Sequence, residues 1–271
     1  MSGFPIFQGG ELPSDVELFV TLAWRLTQRP GRGVLPRRMS TLLLVRHGQA
    51  SAFEDNYDRL SSLGERQARL LGESWRQRGL RVDRVFSGPR VRQQRTAEIA
   101  AEAAGLPAPV VVEGLDEMCV EPLFREHLPD LFAKHAHLAA LGDAMLAADG
   151  NAARARGFAR LIEAGLQLWV RGEVSAFGVE SWVQFQARVR HALSVLRADA
   201  RGLRVLAFTS AGPVASAVQL ALGADDSAAL SLAFRVRNSS VSQFLFSGER
   251  LSLVSFNETP HLPDAALITE R

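Results

Sequence analysis

A histidine, several arginines and a glutamate occupy places in this chain where they could handle a phosphoryl group. His47 stands between Arg46 and Gly48, directly after the apolar run Thr41 to Val45. A neutral imidazole attacks phosphorus once an acceptor holds its other ring nitrogen and fixes the tautomer. Arg46 can fork onto two phosphoryl oxygens. Gly48 lets the backbone approach an anion and offer its N–H groups. Arg92 falls in the first turn or so of the helix introduced by Ser87-Gly88-Pro89. A helix N-terminus favours anions, and a guanidinium there adds a clamp. Arg90 and Arg95 compete for that role. Arg92 and Arg95 share roughly one helix face, whereas Arg90 reads as part of a solvated basic face. Glu117 follows a short strand and Gly114. A partly desolvated glutamic acid can protonate a leaving alkoxide, and Asp116 and Glu113 are its rivals. Taken singly, each feature has a plainer reading: a strand end that happens to carry Arg-His, a basic surface, an exposed loop acid.

Other residues could line the same place. Ser51 can offer a backbone or hydroxyl contact to phosphate. Ser210, Ala211 and Gly212 follow another apolar run and could meet phosphoryl oxygens, and Thr209 or Ser210 could donate a neutral hydrogen bond. Phe53 and Tyr57 are candidate pocket walls. His127, His135 and His137 cluster with Asp130, but residues two apart on a helix do not share a face, which argues against a metal. Trp169, Trp182, Phe158 and Phe185 fall in amphipathic helical patterns and read as packing. His191 and His261 read as surface or packing residues.

These residues need elements to hold them. Thr41 to Val45 reads as a buried parallel strand. Leu60 to Arg78 reads as a helix capped by Ser61 or Ser62, with Glu65 as capping-box partner. Arg84 to Ser87 is a second strand, followed by a helix that Gly105-Leu106-Pro107 ends. Val110 to Val112 is a third strand. The chain from about Leu123 to Ala200 is mostly helical, with breaks near Gly142, Gly150 and Gly172 to Gly178. Leu203 to Thr209 is a fourth strand, and Gly212-Pro213 starts another helix. Ser240 to Phe246 and Leu251 to Phe256 alternate around Gly248 as a hairpin. The pattern predicts an α/β fold: a three-layer sandwich, a mostly parallel central sheet with helices on both faces, and a helical cap inserted after the third strand at about 120–200. Ligands of such sheets sit beyond the carboxyl ends of the strands. Each candidate segment follows a strand end.

Composition sets outer bounds. The chain has 271 residues, 47% hydrophobic and 22% charged, which is the ordinary globular range and argues against disorder as the dominant state. No apolar run reaches the roughly 18 residues of a membrane span. The single cysteine excludes an internal disulfide or a cysteine-built zinc site, and it fits a reducing cytoplasm. Lys and Arg number 31 against 29 Asp and Glu, a net charge of +2. With no dense basic run interleaved with aromatics, nucleic acid is not the expected partner. Residues 1–38 read as an N-terminal extension with a short helical pattern from Ser14 to Thr27. It lacks the basic start and small-residue cleavage site of a secretory signal. Translation starting at Met39, directly before the first strand, would leave residues 39–271 as the native domain.

The segments LLLVRHGQAS, DRLSSLGERQARLLG and VFSGPRVRQQRTAEIA resemble, in order and spacing, the histidine phosphatase superfamily, also called phosphoglycerate mutase-like. LDEM, FTSAGP, RNSSVSQF and FNETPHL match more loosely. The match spans roughly residues 40–262 without the helical insert. The resemblance implies a phosphohistidine intermediate on His47, Arg46 and Arg92 on the phosphate, Glu117 as proton donor, and neither metal nor cofactor. The expected partner is a small phosphorylated substrate, with the choice among metabolite, sugar phosphate, nucleotide and phosphoprotein set by the cap and left open. The resemblance leaves the oligomeric state open. The family usually carries a second histidine after the fourth strand, where this chain has Ala211. Loss of one such donor typically costs roughly 100- to 1,000-fold in rate. The expected activity is phosphomonoester hydrolysis. The alternative is a weak or inactive member that binds a phosphorylated ligand or a protein partner.

Overall fold

A computed structural model of the chain describes residues 39–51 and 58–270. The extension 1–38 and the wall candidates Phe53 and Tyr57 lie outside the described residues. Strand β1 (Ser40–Arg46) is followed by helix α1 (Ser62–Gln77), β2 (Arg84–Ser87), α2 (Val91–Ala104) and β3 (Val110–Val111). Helices α3 (Glu121–Arg125), α4 (Leu128–Lys134), α5 (Ala136–Leu146), α6 (Asn151–Val170) and α7 (Trp182–Arg197) come next. Then follow β4 (Arg204–Thr209), α8 (Ala211–Leu222), α9 (Asp226–Ala233), β5 (Val241–Ser247) and β6 (Arg250–Glu258). The sheet order is β3-β2-β4-β1-β5-β6, with β3, β2, β4 and β1 parallel and the β5–β6 hairpin antiparallel. This is the predicted mostly parallel α/β sandwich. Gly248, at φ +59°, opens the two-residue hairpin turn.

The near-continuous apolar character of β1 and β4 follows from burial on both faces. Leu42, Leu44, Val205, Ala207 and Phe244 join one core cluster, to which α7 and α8 contribute Phe185, Val189, Val214 and Val218. The alternate residues Leu43, Val45, Leu206 and Phe208 join the other, against Leu71 and Trp75 of α1 and Ala97 and Ala100 of α2. Each fully buried Leu, Val or Phe contributes about 1.5–3 kcal/mol. These two cores hold the strands in a common register. Arg46 pairs with Thr209 at the ends of β1 and β4, and Ser87 of β2 pairs with Phe208. The residues just past three strand ends therefore emerge at one edge.

Several local expectations need correction. Ser61 caps α1 by accepting from the Gly64 N–H at 3.0 Å, but Glu65 lies one position too late for a capping box and pairs with Arg95 instead. Gly142 breaks nothing: it lies inside α5, where a Cβ would strike the Phe132 ring at 2.7 Å. Phe158 is 53% exposed beside Met145 and Leu146, whereas Trp169, Trp182 and Phe185 do pack as one buried aromatic cluster. His135 is the link between α4 and α5, so it and His137 are not successive positions of one helix and both line a pocket with Arg171. No described helix is long and apolar enough to cross a membrane.

Candidate active site

His47 is the first residue beyond β1, and its N–H donates to the Thr209 carbonyl at 2.9 Å, which extends the β1–β4 ladder by one step. The Asn238 amide and the Ser239 N–H both donate to the His47 carbonyl at 3.2 Å. The side chain is buried. Its Nδ1 is 2.7 Å from the Gly48 carbonyl, and its Nε2 receives the Arg92 Nε–H at 3.1 Å. A carbonyl only accepts and a guanidinium only donates. The proton therefore sits on Nδ1 and the lone pair on Nε2. Burial and the charges of Arg46 and Arg92 hold the imidazole well below its ordinary range, against the opposing bond to Gly48. The ring is a neutral base with one lone pair in a defined direction.

Gly48 donates its N–H to Thr96 Oγ1 at 3.0 Å, and Thr96 donates to the Arg92 carbonyl at 2.7 Å, tying the loop after β1 to α2. A side chain at Gly48 would collide with the backbone of Gly64, so close approach between this loop and α1 requires glycine.

Of Arg90, Arg92 and Arg95, it is Arg92 that meets His47. Arg90 is not a solvated cation: its Nε pairs with Asp116 at 2.5 Å. Arg95 is half exposed and pairs with Glu65 and Glu98. Arg92 is buried and its NH1 pairs with Asp58 at 3.0 Å. The Asp58 carboxylate also receives the Val91 N–H at 3.0 Å and the Arg92 N–H at 3.5 Å. Arg46 is turned toward backbone: its NH1 donates to the carbonyls of Val236 and, at 2.6 Å, Glu270.

The Glu117 carboxylate accepts the Gly212 N–H at 3.1 Å and that of Met118 at 3.0 Å. It thus sits on the first turn of α8, one residue beyond Ala211. Its rivals are elsewhere: Asp116 pairs with Arg90, and Glu113 opens a short 3-10 turn. The loop that carries Glu117 is held by Arg188 of α7, which donates to the carbonyls of Gly114, Asp116 and Glu117 at 3.0–3.3 Å and pairs with Glu180.

Ser210 is fully buried and accepts from the Gln93 amide at 2.7 Å, and the Thr209 hydroxyl donates to the Leu115 carbonyl. The Thr209 proton is thus engaged within the chain, whereas the Ser210 hydroxyl acts there as an acceptor. Ser51 gives its N–H to the Arg59 carbonyl, away from an anion-binding role for that group. Ala211 is buried at the start of α8. His191 is exposed on α7. His261 is buried against Ser239 at 2.9 Å, behind the His47 backbone. Asp58, Arg188, Gln93, Thr96 and Asn238 were not foreseen as part of the arrangement. Asp58, Gln93, Thr96 and Asn238 do lie inside the quoted motifs DRLSSLGERQARLLG, VFSGPRVRQQRTAEIA and RNSSVSQF, whereas Arg188 does not.

The model of the histidine phosphatase superfamily (branch 1) matches residues 42–144 and 152–259, and the chain belongs to that family. Among solved structures, it is similar to a phosphoserine phosphatase variant from Entamoeba histolytica in complex with phosphoserine, at 18% identity and TM-score 0.57, covering 83% of this chain and 100% of that one. A putative α-ribazole-5'-P phosphatase from Escherichia coli matches at 19% identity and TM-score 0.57, covering 82% and 97%. A phosphoglycerate mutase from Bacillus anthracis matches at 16% and 0.55, covering 83% and 96%. At these identities the likeness concerns the fold. No curated protein matches the chain.

Proposed function

We propose that the chain is a phosphomonoester hydrolase that works through a phosphohistidine intermediate on His47. The carrying observation is the imidazole itself: neutral, its Nδ1–H bound to the Gly48 carbonyl, its Nε2 lone pair met by Arg92 Nε–H at 3.1 Å. An arriving phosphoryl group takes over both partners. Its phosphorus meets Nε2 and its oxygens meet the guanidinium. The N–P bond forms as the P–O bond to the leaving alcohol breaks, and Glu117 in its acid form protonates the departing oxygen. Water then attacks the phosphorus, passes a proton to the Glu117 carboxylate, and the N–P bond breaks to release phosphate. Arg92 stabilises the charge that spreads over the equatorial oxygens. Arg46 joins it by exchanging one of its carbonyl partners for a phosphoryl oxygen. Gly48, Ser51, Ser210, Ala211 and Gly212 remain substrate-binding candidates, Ser51 through its hydroxyl and Ala211 through its backbone N–H, since the N–H groups of Gly48, Ser51 and Gly212 are engaged within the chain.

The proposed domain runs from 39 to 271, with the helices of about 120–200 acting as the cap that selects a small phosphorylated substrate in a cytoplasmic setting. The solved structures with phosphoserine and the phosphoglycerate mutase support this class of substrate by analogy. The second reading, a binder with little turnover, is favoured by Ala211, which offers a methyl group and an N–H where the family usually has an imidazole. The test is phosphate release from an aryl phosphate by the parent chain, His47→Ala and Ala211→His. Turnover lost in His47→Ala supports the hydrolase. Turnover kept in His47→Ala overturns it, and inertness of all three toward a panel of phosphoesters leaves the binding reading.

A further inference from the structure

The α2 N-terminus and Arg92 were expected to receive the substrate anion, yet in this structure a carboxylate of the chain itself lies there. Asp58 gives one oxygen to Arg92 NH1 at 3.0 Å and the other to the Val91 N–H at 3.0 Å. One side chain thus holds the start of α2 and the guanidinium that faces His47. We infer that Asp58 is a positioning residue for the reaction, which sets the rotation of Arg92 so that its Nε–H meets His47 Nε2. This rests on the reading of His47 as nucleophile.

The physical argument is one of degrees of freedom. A buried arginine side chain has several rotatable bonds, and one contact to an imidazole does not fix the plane of its fork. A second, charge-assisted contact from a different segment does. Asp58 is also anchored independently of Arg92, because its other oxygen is occupied by a backbone N–H of α2. The carboxylate therefore refers the guanidinium to the helix frame, and the helix frame is tied to the His47 loop through Thr96 and Gly48. The carboxylate, guanidinium and imidazole form a short chain, with links of 3.0 and 3.1 Å, from the helix start to the attacking nitrogen. Two other roles make opposite predictions. A simple helix cap would affect stability alone. An internal competitor for the phosphate site would weaken substrate binding, so its removal would raise activity.

The test uses the full chain with Asp58→Asn, which keeps an oxygen of the same reach for the Val91 N–H but loses the charge that holds Arg92. Three quantities are read: the thermal midpoint, the imidazole 15N resonance of His47 assigned by its loss in His47→Ala, and kcat/KM for an aryl phosphate. The inference predicts a midpoint near that of the parent, a His47 Nε2 resonance displaced toward that of a nitrogen without a donor, and kcat/KM lower by roughly 10- to 100-fold. An unchanged resonance and unchanged kcat/KM would reduce Asp58 to a cap and overturn it. A rise in kcat/KM, or tighter binding of inorganic phosphate, would make it a competitor and overturn it as well. If Asp58→Asn does not fold, Asp58→Ser is read by the same resonance. Turnover that persists in His47→Ala would defeat the hydrolase reading instead, while the resonance still decides whether Asp58 holds Arg92.

Discussion

Glu117 accepts the backbone N–H of Gly212 at 3.1 Å, so the candidate proton donor is seated on the first turn of α8 beside Ala211. The acid is thus bonded to the residue that follows Ala211. If Glu117 protonates the leaving group, its removal must hurt poor leaving groups most. In Glu117→Gln, kcat/KM is expected to fall roughly 100- to 10,000-fold for alkyl phosphates and far less for nitrophenyl phosphate. A linear free-energy plot against leaving-group acidity checks this. Equal losses for all substrates would assign Glu117 another role.

Gly212 controls the same seat from the other side. A Cβ there would run into Glu117 Oε1 and would come within 2.7 Å of the Met118 methyl and 3.0 Å of the Phe185 ring. Gly212→Ala should therefore displace the carboxylate and reproduce the leaving-group signature of Glu117→Gln. In the double variant the two losses should not add, because both remove one interaction. Additive losses in the kinetic cycle would separate the two residues.

Ala211→His tests what an imidazole at this position adds. A cationic or neutral donor added beside the phosphoryl oxygens should raise kcat by up to about 100-fold, with His47 still required. Kinetics of Ala211→His against the double variant His47→Ala/Ala211→His measure it. A gain that survives loss of His47 would show the new imidazole acting alone.

Much of this was legible in the chain, for a definite reason. Strands β1 and β4 are buried on both faces, so their apolar runs are long and unbroken, and the residues that follow a parallel strand end point to one edge. His47, Gly48 and the start of α2 could be placed on that basis. The choice among Arg90, Arg92 and Arg95 could not, because it depends on partners distant in sequence: Asp116 for Arg90, Glu65 for Arg95, Asp58 and His47 for Arg92. Arg188 looks like an ordinary polar position of an amphipathic helix. Only the fold brings it against the carbonyls of Gly114, Asp116 and Glu117. Arg46 is the converse case, since a motif that suggests phosphate binding has its NH1 on the Val236 and Glu270 carbonyls.

His261 gives the protein an acid sensitivity. Burial, with a smaller contribution from Arg78, lowers it from 6.5 to about 4. The unfolded chain therefore binds a proton at this residue that the folded chain refuses, and stability falls as the pH drops from about 6.5 toward 4. Above that window the effect vanishes. His47 is lowered too and acts in the same direction. Denaturant titrations of the parent should show roughly 2 kcal/mol lost between pH 7 and 5 through His261. His261→Gln should show a correspondingly flatter dependence. Parallel pH curves for the two proteins would contradict this assignment.

The most direct test of the account is chemical capture of the intermediate. The parent chain is mixed with radiolabelled aryl phosphate, quenched in alkali within a turnover, and digested for mass spectrometry. The account predicts an acid-labile, alkali-stable phosphoryl group on the peptide containing His47, borne by Nε2 and absent from His47→Ala. Turnover without a label on His47, or a stable label on another residue, would contradict it.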